Sequence, residues 1–264
     1  MKPVTLIEKI ERHGVQDGKD FFGLWTRQGP ANYRTLWRAN YGTNPETGEQ
    51  FHQATMPQTI RLVNYGVVNR ADERNAPIIE AIHRYRLTGR SLLLGDGIKE
   101  IYAVDNPSEE IFGQLNVNNR ERLTEIMRQL KAALGAVEAG GVVFSPDGNI
   151  RFTSLDKIKQ GAQTLEQFAV NPGNILIAGS LENAELNAQT AGFFRSDPNL
   201  NLYYNKGKPF VIVPVGGSGD FDSRLGVGGS DFLDYDSRCS FGVSETAEGG
   251  APENTSQDKS GERK

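Results

Sequence analysis

The chain has 264 residues, 37% of them hydrophobic, enough to bury the core of one sizeable domain. Its formal charge of −4 is divided unevenly: residues 1–90 carry 13 Lys and Arg against 9 Asp and Glu, and residues 91–264 carry 16 against 24. A single cysteine, Cys239, excludes an internal disulfide and a multi-cysteine zinc site, and no apolar run is long enough for a signal peptide or a membrane span, so a cytoplasmic protein is expected.

Residues 3–13 place Val4, Ile7 and Ile10 on one face and read as a short amphipathic helix ended by Gly14. Residues 20–27 (DFFGLWTR) and 59–65 (TIRLVNY) are aromatic or β-branched runs and read as strands. Asn75, Pro77, an apolar face of Ile78, Ile79, Ile82 and Tyr85, and a closing Gly89 give the order of cap, early proline and terminal glycine expected of a helix. Residues 91–95 and 100–104 flank Asp96-Gly97 and predict an antiparallel hairpin. A further helix spans residues 119–134, with Leu123, Ile126, Met127, Leu130 and Leu134 on one face and an Asn118/Glu121 capping pair.

Residues 142–144 and 150–152 surround a Ser-Pro-Asp-Gly turn and predict a second hairpin. Residues 155–169 read as a helix capped by Thr153 or Ser154, 171–174 as a turn, 175–178 as a strand and 181–190 as a helix. Residues 199–204 and 209–215, joined by Asn205-Lys206-Gly207-Lys208, predict a third hairpin. Residues 244–264 hold almost no apolar residue and are expected to be a disordered tail. Three hairpins interleaved with helices make the fold class α+β, with one domain over residues 1–243; a subdivision near Val117 is the alternative.

Two stretches carry candidate chemistry. Residues 216–227 (GGSGDFDSRLGV) are repeated as 228–243 (GGSDFLDYDSRCSFGV), which gathers carboxylates on glycine-rich backbone. Asp220, Asp222, Asp234 and Asp236 are candidate ligands for a hard cation such as Mg2+ or Ca2+, although glycine, serine and aspartate equally make plain turns. Residues 21–41 interleave Phe22, Trp25, Tyr33 and Trp37 with Arg27, Arg34 and Arg38, and His52 extends the group. Exposed rings stack on bases while guanidinium groups hold phosphates; buried, the same rings are a core.

Other motifs are excluded by spacing. Gly95-Asp96-Gly97 lacks the crossover helix of a dinucleotide site, and Asp220 occupies the glycine position a nucleophile elbow around Ser218 needs. His13, His52 and His83 form no local metal face, although His83 beside Arg84 and Arg86 suits a phosphate. Cys239 lacks an obvious base and reads as inert. The expectation is a non-enzymatic binding or assembly protein that needs no cofactor, engages single-stranded nucleic acid through the aromatic–arginine segment, and uses its glycine-rich loops for contacts with protein partners or with itself, away from membranes. The alternatives are a divalent-metal-dependent phosphodiester hydrolase and a structural subunit of a larger particle.

Overall fold

The computed structural model describes residues 23–39, 41, 50–116, 119–194, 196–218, 224–230 and 236–245. Strand β1 (Gly23–Ala31) and helix α1 (Tyr33–Trp37) are followed by β2 (His52–Gln53), α2 (Met56–Val68) and α3 (Ala76–Arg84). Then come β3 (Arg86–Leu87), β4 (Ser91–Gly95), β5 (Glu100–Asp105), α4 (Glu109–Gly113) and α5 (Arg120–Ala132). Strands β6 (Val137–Ala139), β7 (Val142–Phe144), β8 (Ile150–Ser154) and β9 (Gly161–Ala162) precede α6 (Leu165–Ala169), α7 (Pro172–Ala178) and α8 (Leu181–Ala191). The chain closes with β10 (Ser196–Leu202), β11 (Phe210–Gly217), β12 (Arg224–Ser230) and β13 (Arg238–Glu245). This is an α+β fold, and none of the described helices is long and apolar enough to cross a membrane.

All thirteen strands join one mostly antiparallel sheet, whose main path runs β1-β13-β3-β11-β4-β5-β8-β7-β6. Strands from before residue 117 (β1, β3, β4, β5) and from after it are interspersed along it. Alternation along β4 and β5 sends side chains to two cores. Leu93, Ile101 and Ala103 pack with α2, α3, α7 and α8, whereas Leu92, Leu94, Tyr102 and Val104 pack with α1, α4 and α5. A buried polar pin ties the sheet to the first of these helix layers. Arg151 on β8 forks onto the Asp105 carboxylate and donates from Nε to the Leu176 carbonyl of α7 (2.8 Å); Ser91 donates its hydroxyl to Asp105 and accepts from the Met56 N–H of α2 (2.9 Å).

The hairpins on β4–β5 and β7–β8 and the helices at α5 and α8 lie where the sequence puts them. The α5 cap is Asn119, which accepts from the Arg122 N–H, rather than Asn118. Residues 59–65 are helical, not extended. Thr55 and Gln58 exchange side-chain bonds across a capping box and Pro57 sits in the first turn, so local capping outweighs the β-branched composition. Residues 175–178 are likewise helical, behind an Asn171 cap and Pro172. The helix expected to reach Gly89 stops at Arg84, because Tyr85 turns extended and β3 enters the sheet between β11 and β13. Residues 155–169 hold a single 3-10 turn, β9 and the short α6 capped by Thr164 instead of one helix.

The third hairpin is also different. β10 and β11 do not pair with each other; β12 lies between them, parallel to β10 and antiparallel to β11. Here the glycines of the repeat are strand residues, since a Cβ on Gly228 would collide with the Asn201 carbonyl of β10. β13 continues through Glu245, so the first two residues of the expected tail belong to the sheet. The helix expected over residues 3–13 and the rest of the tail lie outside the described residues.

Candidate functional site

Two rings of the aromatic–arginine segment, Tyr33 and Trp37, are interior. Tyr33 is fully buried, and its hydroxyl donates to the Ser91 carbonyl (3.2 Å); burial raises its pKa above the ordinary tyrosine value, with Arg238 and Arg90 opposing. Trp37 is 4% exposed, stacked on Phe112 of α4 at 4.3 Å between centroids and 13° between planes. The Arg90 guanidinium lies 4.2 Å from the same ring, and the indole N–H donates to Glu109 (3.3 Å). Neither ring leaves a face on which a base can stack, so both are core residues that fasten α1 to α4, correcting their expected role. Trp25 and Arg27 pair in register with Val243 and Phe241 on β13. Phe22 lies outside the described residues. Arg38 and His52 are exposed and Arg34 is half-buried.

Each copy of the repeat does the same topological task. In each copy GGS lies at the end of a strand, the residues that follow outside the described set are 219–223 and 231–235, and the arginine of DSR, Arg224 or Arg238, opens the next strand. Asp220, Asp222 and Asp234 fall in those segments, and Asp236 is exposed with its carboxylate 3.5 Å from the Asn32 amide. Among the described residues, no three His, Cys, Asp or Glu side chains stand together as a metal site. Arg238, at the start of β13, is fully buried beside Arg86 of β3; burial, with the like charge of Arg86, brings its pKa down to about 10. Cys239, the next residue, is also fully buried.

A group of exposed aromatic and basic residues gathers elsewhere, at the adjoining ends of β4 and β11. The turn over residues 96–99 and the segment over residues 203–209 meet there. Gly207 donates its N–H to the Gly97 carbonyl (2.8 Å), and Gly97, at φ +76°, lies so close to Lys208 that a Cβ would collide with its backbone. Only Gly97 takes a positive φ, so this is not the two-residue turn expected from Asp96-Gly97. Asp96 instead receives the N–H groups of Ile98 (2.8 Å), Lys99 (2.7 Å) and Glu100 (2.9 Å) on one carboxylate oxygen. Partial burial opposes ionisation, but these amides hold the carboxyl below its ordinary value.

This locked pair of turns displays Lys99, Lys206, Lys208 and Asn205, all exposed, with Tyr203 at 50% exposure and Ile98 at 62%. Tyr204 stacks on Phe210 at 4.3 Å and 22°, which anchors the segment to β11. Nearby negative charge is engaged within the fold: Glu100 accepts from Lys131 (2.6 Å) and from the Tyr102 hydroxyl (3.0 Å). Sequence reading placed both turns but could not join them, because the contact between residues 97 and 207 is a product of strand order. The Tyr-Tyr-Asn-Lys-Gly-Lys run was the available signal.

No protein-family model matches the chain, and no curated protein matches it. A solved structure described as "Accommodation of massive sequence variation in Nanoarchaeota by the C-type lectin fold" superposes with a TM-score of 0.46 at 12% identity, covering 86% of this chain and 97% of that chain.

Proposed function

We propose that the protein is a binding protein for single-stranded nucleic acid, and that the lysine–tyrosine tip is the surface that takes it. The observation that carries this reading is the convergence of Lys99, Lys206 and Lys208 with the half-exposed Tyr203 on two turns fastened to one another. Single strands offer phosphates to the lysines and unpaired bases to the ring, and such contacts require no sequence code. A fixed backbone reduces the ordering cost of binding.

Fluorescence anisotropy of labelled single-stranded RNA and DNA, titrated at several salt concentrations, tests the proposal. Replacing Lys206 and Lys208 by alanine should flatten the slope of log affinity against log salt by about 0.7 for each lysine that meets a phosphate. Tyr203→Ala should weaken binding by about 1–3 kcal/mol, a factor of roughly five to one hundred and fifty. Arg34→Ala with Arg38→Ala tests the surface left by the aromatic–arginine segment. Binding lost only in that variant would move the site there, and no binding by the unaltered chain would refute the proposal.

A further inference from the structure

Gly95-Asp96-Gly97, the run that lacks the helix of a dinucleotide site, sits where the two turns of the tip meet, and each of its residues serves their docking differently. Gly95 ends β4 opposite Phe210 of β11, and a Cβ there would collide with the Phe210 ring, on which Tyr204 stacks. Gly97 brings its carbonyl to the Gly207 N–H and leaves room for the Lys208 backbone. Asp96 stands between them, half-buried, donating its N–H to the Glu100 carbonyl (3.1 Å) while one carboxylate oxygen takes the N–H groups of Ile98, Lys99 and Glu100. An aspartate that caps its own turn in this way restrains the backbone around Gly97, which has little restraint of its own.

That carboxylate is a poor neighbour for a polyanion. Its acceptor oxygen lies 2.7 Å from the Lys99 backbone nitrogen, and its charge adds to burial in raising the Tyr204 pKa. By charge alone Asp96 opposes phosphate, and its removal should tighten binding by about twofold, the Coulomb effect of unit charges roughly 8 Å apart in water. Its hydrogen bonds act in the other direction. They hold the turn that carries Lys99 against the segment that carries Tyr203, Lys206 and Lys208, so that ordering precedes the ligand. Ordering one long side chain changes affinity by about two- to twelvefold, more than the charge does. We propose that Asp96 is a positioning residue of the single-strand site, acting through the turn and not on the ligand, and that its hydrogen bonds outweigh its charge. The inference rests on the nucleic-acid reading of the tip.

Anisotropy of labelled oligouridylate, titrated with the full chain at several salt concentrations, tests it through two substitutions. Asp96→Ala removes both the charge and the acceptor, and should weaken binding by about two- to twelvefold with a flatter salt slope as Lys99 loses its place. Asp96→Asn removes the charge but keeps an oxygen that accepts the same N–H groups, and should bind as tightly as the unaltered chain or up to about twofold more tightly. Amide hydrogen exchange reads the docking without ligand: the Gly207 N–H should lose protection in Asp96→Ala and keep most of it in Asp96→Asn. Tighter binding by Asp96→Ala, equal weakening by both variants, or Gly207 exchange unchanged in Asp96→Ala would overturn the inference and leave the lysine site standing. An unaltered chain that binds no single strand would overturn the reading of the tip and this inference with it.

Discussion

Replacing Arg151 by methionine removes the cation from the polar pin between the sheet and helices α2 and α7 while keeping most of the side-chain volume. Arg151 is 1% exposed and gives Asp105 two of its bonds, the Leu176 carbonyl one (2.8 Å) and the Gly148 carbonyl one (3.0 Å). Without it Asp105, itself 8% exposed, keeps only the Ser91 hydroxyl. Breaking a buried ion pair by removing one partner costs about 3–5 kcal/mol, most of it the penalty of a carboxylate left buried without its cation. For a chain of this length that corresponds to a fall in melting temperature of roughly 6–20 °C. Urea unfolding followed by tryptophan fluorescence measures it, with Trp37 reporting from the core. The mechanism also predicts strong non-additivity: Asp105→Leu in the Arg151→Met background should recover much of the loss, because an apolar pair has no charge to strand. A loss below about 1 kcal/mol for Arg151→Met, or single losses that simply add in the double variant, would refute the reasoning.

Two further outcomes follow from backbone placement. Gly228→Ala should destabilise the fold by about 1–3 kcal/mol in chemical denaturation, because its Cβ has no room beside the Asn201 carbonyl; an unchanged midpoint would mean that β10 and β12 are not packed as described. Asp96→Asn should cost about 0.5–1 kcal/mol at neutral pH, the small value reflecting a carboxyl that is only partly buried. Its folded-state pKa is depressed, so its stabilisation is complete above the unfolded value of about 3.9 and disappears as the pH falls through the lower folded value. Stability curves of the two proteins should therefore converge in acid, and curves that stay parallel to the lowest accessible pH would contradict the assignment.

What could be read from the sequence was what local chemistry decides. The β4–β5 and β7–β8 turns carry their own dihedral and hydrogen-bond instructions, and α5 and α8 repeat apolar residues at helical spacing behind Asn119 and Ser180 caps. Residues 59–65 show how composition misleads. Their isoleucine, valine and tyrosine suit a strand, yet the deciding signal lay upstream, in Thr55, Pro57 and Gln58. Pairing that depends on distant segments had no local signal at all. Nothing within residues 196–217 says that β12 will enter between β10 and β11.

The candidate site failed to be legible for a related reason. Rings alternating with arginines are the same string whether the rings bind a ligand or each other, and the difference lies in what the rest of the chain brings to them. Phe112 and Arg90, distant in sequence, reach Trp37 and settle it as core. Tyr203 and three lysines stay exposed on turns held together by a backbone bond, and Phe193 stays exposed beside Arg70 where helices end. The proposed surface thus comes from the way the layers close, assembled from segments more than a hundred residues apart, and it is accessible to substitution without disturbing the core that positions it.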